Sequence, residues 1–244
     1  MIILFTDYGL QGPYIGQVEA VLSRMAPGHR VITLFPDLPR HNPKAAAYLL
    51  AAYSGGFPDD TIFFCVVDPG VGSFTDDPVI LRLDRRWYVG PDNGLFDLTA
   101  RLASEIECRR IDWRPDQLSS SFHGRDLYAP VCAKLANGVD VPATRREWRD
   151  RHGWPDDLNE VIYIDNFGNC LTGLRARMIN PEHKLLLGGN LTIKHAQTFG
   201  AVPGGQAFWY ENSNGLVEFA VNGDSAQRTL GLNIGSKFRI VDYK

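Results

Sequence analysis

Cysteine is scarce: the 244 residues hold four, Cys65, Cys108, Cys132 and Cys170, far apart and with no CxxC pair. That spacing suggests neither a zinc knuckle nor a dithiol redox motif. A cysteine in an apolar run is expected as a free buried thiol. No apolar run approaches 18 residues, and the chain opens on the strand-like Ile2-Ile3-Leu4-Phe5. Neither a membrane span nor a signal peptide is therefore expected, and a reducing cytoplasm is the expected location. Lys and Arg form no block. Their densest stretch, Arg145 to Arg151, is interleaved with Glu147 and Asp150, and the formal net charge is -3, which gives no electrostatic footing to a nucleic-acid or membrane partner. There is no GxSxG elbow, no HxH, HExxH or DxDxD spacing, and Gly9-x-x-Gly12-x-x-x-Gly16 is not the dinucleotide fingerprint. Serine hydrolysis, a metal site and NAD binding each lack their main signal.

What is present is a chain long enough for one large or two small domains, 44% hydrophobic, with a change of pattern near residue 140. Before it, short apolar runs alternate with helical spacing: strands at Ile2 to Thr6, Val31 to Phe35, Thr61 to Val67, Pro78 to Asp84 and Trp87 to Val89, helices at Tyr14 to Met25, Pro43 to Tyr53, Leu95 to Ala103 and Leu127 to Ala136. This βα alternation predicts an α/β domain over 1–140 with a largely parallel central sheet. Charged and Pro-rich residues over 141–158 predict a linker. In 159–244 the runs Val161 to Asp165, Leu185 to Leu187, Leu191 to Lys194, Gly215 to Val221 and Lys237 to Val241 are separated by Gly, Asn and Pro. They predict a small antiparallel β-barrel.

In a parallel α/β sheet, ligands sit beyond the carboxyl ends of the strands. Polar clusters follow three strand runs: Thr6-Asp7-Tyr8-Gly9, Asp68-Pro69-Gly70-Val71-Gly72 and Pro91-Asp92-Asn93-Gly94; a fourth, His123 to Asp126, precedes a helix. Asp7 is placed to accept two hydrogen bonds from a vicinal diol, with an Asx turn or helix cap as the structural alternative. Asp68 and His123 suit a pair in which a carboxylate orients an imidazole that positions or deprotonates water; a turn and a cap are their alternatives. In the second domain Asp165-Asn166-Phe167-Gly168-Asn169 and Tyr210-Glu211-Asn212-Ser213-Asn214-Gly215 offer rings, amides and carboxylates that suit either a purine and an ammonium group or ordinary β-turns.

The segments FTDYG, YIGQVEAVL, VVDPGVGS, YVGPDNGLF, FHGRDLYAP, IDNFGNCLTGL and NSNGLVEFAVNGDSA, in this order and spanning nearly the whole chain, resemble the S-adenosyl-L-methionine hydroxide adenosyltransferase family, adenosine-forming SAM hydrolases related to the fluorinating and chlorinating SAM enzymes. The resemblance implies a seven-stranded α/β domain, a C-terminal β-barrel, and a homotrimer in which SAM lies between the N-domain of one subunit and the C-domain of its neighbour. It implies Asp68 and His123 as catalytic and the remaining candidates as substrate-binding: Asp7 on the ribose hydroxyls, His41 flanking the ribose, and Asn93 in the turn after a strand. Phe122 and Gly124 would line the nucleophile's pocket beside His123. Asp165 and Ser213 would take the amino-acid group, Phe167 and Asn169 the adenine, with Tyr210, Asn222 and Gly223 completing that wall. The implied reaction is SN2 attack of water or hydroxide at the ribose C5′, giving adenosine and methionine, with SAM as substrate and neither cofactor nor metal.

The match has two departures. Hydrolytic members resembling this chain carry an Asp, an Arg and a His around the water; Asp68 and His123 match, but where relatives read S/T-x-R-R-P this chain reads Ser73-Phe74-Thr75-Asp76-Asp77-Pro78. Arg125 and Arg82 are the nearest candidate replacements. Gly12 stands where relatives usually have an Asp. The alternative to a hydrolase is a catalytically degenerate adenosine- or SAM-binding protein. His123 argues against a halogenating activity.

Overall fold

The computed structural model describes residues 1–73 and 75–241. The chain divides after Trp154 into two compact units. The first contains a seven-stranded sheet built from β1 (Ile2–Thr6), β2 (Val31–Phe35), β3 (Ile62–Val66), β4 (Pro78–Leu83), β5 (Arg86–Pro91), β6 (Ile106–Ile111) and β7 (Ala143–Arg146), in the order β2-β1-β3-β5-β4-β6-β7. β1 pairs parallel with β2 and β3, and β3 with β5, whereas β4 pairs antiparallel with β5 and β6, and β6 with β7. The sheet is therefore mixed, with a parallel half and an antiparallel half.

The parallel strands are apolar on both faces, so helices must cover both sides. Side chains of a strand alternate between faces: Ile2 and Leu4 of β1, with Ile62, Phe64 and Val66 of β3, pack against Val18 and Leu22 of α1 (Tyr14–Met25) and Val131 and Cys132 of α4 (Ala129–Ala136). α2 (Pro43–Tyr53) begins at Asn42, whose Oδ1 accepts from the Ala45 N–H at 3.0 Å. It packs against α3 (Asp97–Leu102). In register, Thr6 lies opposite Val66, so the carboxyl ends of β1 and β3 are neighbours and the residues that follow them, Asp7 and Asp68, emerge side by side.

Part of the stretch predicted as linker is ordered sheet: residues 143–146 form β7 on the edge strand position beside β6. Farther on, the rings of His152 and Trp154 stack at 4.5 Å. β6 and β7 carry no apolar alternation, because their outer positions are solvated charged residues and only Cys108 and Ile111 of β6 point into the core.

The second unit consists of two antiparallel sheets. One has the order β12-β13-β9-β8, from β8 (Leu158–Ile164), β9 (Cys170–Arg175), β12 (Ala207–Glu211) and β13 (Leu216–Val221); the other has the order β11-β10-β14, from β10 (Lys184–Leu187), β11 (Leu191–Ile193) and β14 (Phe238–Val241). Where a closed barrel is predicted, two sheets are observed, with single bridges between Glu160 and Lys237 and between His195 and Trp209. β9 and β12, which the sequence reading passed over, carry Cys170, Leu174 and Trp209 into a core shared with Leu185, Phe219 and Phe238. A short α5 (Ala226–Leu230) starts at Ser225, which accepts from the Arg228 N–H at 3.2 Å.

Candidate active site

A cavity of about 240 Å³ opens beyond the carboxyl ends of β1 and β3. Asp7 and Tyr8 line it from the loop after β1, Asp68 and Val71 from the loop after β3, Arg40 and His41 from the loop after β2, and Phe122, His123 and Gly124 from the segment before α4. Six of the predicted site residues, Asp7, His41, Asp68, Phe122, His123 and Gly124, thus converge on one space.

Asp7 Oδ2 accepts the backbone N–H of His41 at 2.9 Å, a bond that ties the loops after β1 and β2 together and is neither an Asx turn nor a helix cap. His41 holds a left-handed backbone with φ of 56°, a conformation that costs a non-glycine residue stability and concentrates at functional sites. Burial pushes the Asp7 carboxyl above the usual carboxylate range, opposed by the His41 N–H and by the charges of His41 and Arg40. Asp68 Oδ1 accepts the Gly70 N–H at 3.1 Å. Burial raises this carboxyl too, and the Gly70 N–H and His123 oppose the rise. Oδ2 of Asp68 has no hydrogen-bond partner among the described residues, whereas the Asp7 carboxyl also takes its own backbone N–H.

The loop after β3 reaches the His123 segment because Gly72 has φ of +80°, and a Cβ there would stand 2.2 Å from the Ser120 carbonyl oxygen. His123 precedes a π-helical turn, Gly124–Tyr128, without a capping bond from its ring; the cap expected as its structural role is not made. Such turns within helices are frequent at functional sites. The ring of Phe122 meets Tyr8 at 5.6 Å and Tyr14 at 5.3 Å, both edge-on, which gives the cavity an aromatic wall.

Asn93 lies elsewhere. It is buried, its Nδ2 donates to the Val67 carbonyl at 2.8 Å, and it is not a lining residue; it anchors the backbone just before Asp68. Arg125 is clamped to Asp126 at 2.6 Å and to Gln17 at 3.0 Å, and Arg82 on β4 lies over the Trp87 ring. Neither lines the cavity, whereas Arg40 does. Arg40 and Tyr14 are lining residues that sequence reasoning did not single out, and Tyr8 appeared in a motif without a role. Phe74, in the divergent segment after Gly72, lies outside the described residues.

In the second unit the predicted residues occupy turns. Asp165 Oδ1 accepts from the N–H groups of Phe167 at 2.9 Å and Asn169 at 2.8 Å, and its Oδ2 from Asn169 Nδ2 at 2.9 Å. Phe167 is 78% exposed. Tyr210 donates to the buried Glu218 at 2.6 Å, Ser213 Oγ accepts from Asn214 at 3.1 Å, and Asn222 Nδ2 donates to the Val202 carbonyl at 2.8 Å, beside Gly223 at φ +81°. Among the described residues, no three His, Cys, Asp or Glu side chains are grouped to hold a metal ion, and no helix is long and apolar enough to cross a membrane.

Comparison with known proteins bears on both halves. The model of the SAM hydroxide adenosyltransferase N-terminal domain matches residues 2–145, and that of the C-terminal domain residues 159–239. A protein of Thermus thermophilus named (R)-S-adenosyl-L-methionine hydrolase is 35% identical over 98% of this chain and 99% of its own length. One of Salinispora tropica with the same name is 32% identical over 96% of this chain and 95% of its own. The crystal structure of an uncharacterized conserved protein from Thermotoga maritima superposes with a TM-score of 0.88 at 28% identity, covering 98% of this chain and 99% of that one.

Proposed function

The chain belongs to the SAM hydroxide adenosyltransferase family, and on that premise we propose that it hydrolyses S-adenosyl-L-methionine to adenosine and L-methionine. The observation that carries this reading is the convergence of Asp7, Asp68 and His123 on one partly desolvated cavity at adjacent strand ends, each carboxylate taking a single hydrogen bond from another residue. Water attacks the ribose C5′; the C5′–O bond forms, the C5′–S bond breaks with its electron pair going to sulfur, and a water proton passes to the Asp68–His123 pair. A cationic sulfonium and a developing hydroxide neutralise each other in the transition state, so a cavity that excludes bulk water favours it. Holding water and C5′ in line supplies a further share of the rate. No electron is transferred, so the step calls for no redox cofactor, and SAM enters as substrate.

Asp7 holds the ribose hydroxyls with His41 beside the ring, and Phe122 and Gly124 form the wall around the water. Asn93 acts on the site through Val67. We assign Asp165 and Ser213 to the amino-acid group of the substrate and Phe167, Asn169, Tyr210, Asn222 and Gly223 to the adenine. The assembly in this reading is a cytoplasmic homotrimer in which the N-terminal half of one copy and the C-terminal half of the next share the substrate. The second unit is read as a closed β-barrel, a reading supported by the bridges from Glu160 to Lys237 and from His195 to Trp209, which join opposite edges of its two sheets.

The test is incubation of the purified protein with SAM of either configuration at sulfur, with and without chelator, followed by chromatography. Equal amounts of adenosine and methionine, unaffected by chelator, are the expected result. Intact SAM beside a clear binding signal would replace this reading with that of a binding protein that has lost its chemistry.

A further inference from the structure

Tyr8 stands in the cavity with a polar atom that the mechanism above leaves unused. Its ring is fixed edge-on against Phe122 at 5.6 Å and Phe64 at 6.4 Å. Its hydroxyl is fixed as well: a Cβ built on Gly124 would stand 1.9 Å from Tyr8 Oη, so the phenol occupies the space that any side chain at 124 would need. Gly124 follows His123 directly, and both line the cavity with Tyr8 and Asp68. Among the described residues Oη has no hydrogen-bond partner, and Tyr8 is half-buried at the cavity, where water or a ligand can take the hydroxyl's bond.

We propose that Tyr8 is a further catalytic group of this hydrolysis, donating a hydrogen bond from Oη to the attacking water. The proposal rests on the SAM-hydrolysis reading. A water has four tetrahedral positions. With its two protons directed at Asp68 and His123 and one lone pair accepting from Tyr8, the remaining lone pair is left for C5′. As the water proton leaves, the same donor stabilises the developing hydroxide, as a positioned donor does for other oxyanions; the phenol keeps its own proton throughout. Burial, with the nearby charges of Asp7 and Asp68, holds the Tyr8 phenol well above its ordinary value, so it stays a donor across the working range.

The test compares wild type, Tyr8→Phe, Gly124→Ala and the double variant in steady-state SAM hydrolysis, with thermal unfolding of each as a check on folding. Tyr8→Phe keeps the ring and removes only Oη. Its expected effect is a fall in kcat of about 10- to 100-fold with KM within about twofold of wild type. Gly124→Ala is expected to lose kcat as well, because the new methyl displaces the phenol. In the Tyr8→Phe background that collision is gone and the next atoms are 3.0 and 3.3 Å away, so the double variant should be no slower than Tyr8→Phe alone, the non-additivity expected of a coupled pair. Wild-type kcat in a folded Tyr8→Phe, a loss confined to KM, or additive effects in the double variant would overturn the proposal and leave the hydrolysis reading standing. A wild-type protein that leaves SAM intact would bring down the hydrolysis reading, and this inference with it, before any variant is compared.

Discussion

Three carboxylates that the sequence marks alike, each following a strand, end in two different conditions. Asp7 and Asp68, in the first unit, each accept a single N–H from another residue; burial raises both above the usual range. Asp165, in the second unit, accepts three hydrogen bonds from its own turn. A carboxylate held by one bond is oriented and still has acceptor capacity for a substrate hydroxyl or a water. One held by three frames its loop and keeps a single acceptor position for a ligand. In the proposed mechanism the first unit supplies the reacting groups, and the second supplies turns that leave features such as the Phe167 ring accessible.

If this contrast is right, substitutions in the first unit should cost activity and those in the second should cost stability first. The largest effect is expected at His123: His123→Ala should retain SAM binding by calorimetry while losing turnover by about 10²- to 10⁴-fold, the usual contribution of a positioned acid or base. Equal rates in variant and wild type would remove His123 from the mechanism. Next comes Asp7→Ala, expected to weaken adenosine binding about 10²- to 10⁴-fold through two lost charged hydrogen bonds; unchanged affinity would remove its ribose role. The raised carboxyls set the pH dependence: activity needs Asp68 ionised, and burial favours its neutral form, so kcat/KM should begin to fall on acidification at a higher pH than an ordinary aspartate would give. Asp165→Ala should destabilise the second unit by about 1–2 kcal/mol in denaturant titration, because two backbone N–H groups and the Asn169 amide lose their acceptor. A stability loss for Asp165→Ala no larger than that for Asp7→Ala would break the comparison.

The parallel half of the first sheet was legible because β1 and β3 are buried on both faces and read as continuous apolar runs, and their ends named Asp7 and Asp68. The antiparallel half was less so. In β6, Glu107, Arg109 and Arg110 interrupt the pattern, since an outlying strand needs apolar residues on one face only. In β9, Thr172 and Gly173 conceal a strand whose Thr172 hydroxyl donates to the Val217 carbonyl at 2.8 Å, a satisfaction that only the paired strand provides. The site was legible as a set of motifs but not as a neighbourhood. Asn93 shares a turn motif with the others, yet its amide belongs to Val67, and Arg40 joins the cavity through a loop that has no motif at all. Which polar residues face one another depends on β1 and β3 being adjacent, which spacing along the chain does not encode.

A fourth carboxylate sharpens the contrast through stability alone. Asp97 is fully buried at the start of α3, where one oxygen accepts the N–H groups of Arg151 at 3.1 Å and His152 at 3.3 Å. Its other oxygen has no partner. Burial, then the charge of Asp150, pushes Asp97 up to about 6. Asp150 moves the other way, to about 2, because the Gly153 N–H, Arg101 and the His152 N–H outweigh its own burial. Raised in the folded state, Asp97 contributes stability that is complete below the ordinary value of 3.8 and is lost as pH rises through about 6. Asp150 contributes above 3.8 and loses its share only as pH falls toward about 2. Between about 4 and 7, therefore, the Tm of wild type should fall relative to that of Asp97→Asn, whose amide oxygen still accepts both N–H groups without ionising. A rise from 3.8 to about 6 corresponds to about 3 kcal/mol, so the gap should open by about 6 to 12 °C in a protein of this size. Parallel curves across that window would mean that Asp97 is ionised at little cost, and that a raised carboxyl in this unit is no sign of a site with acceptor capacity to spare.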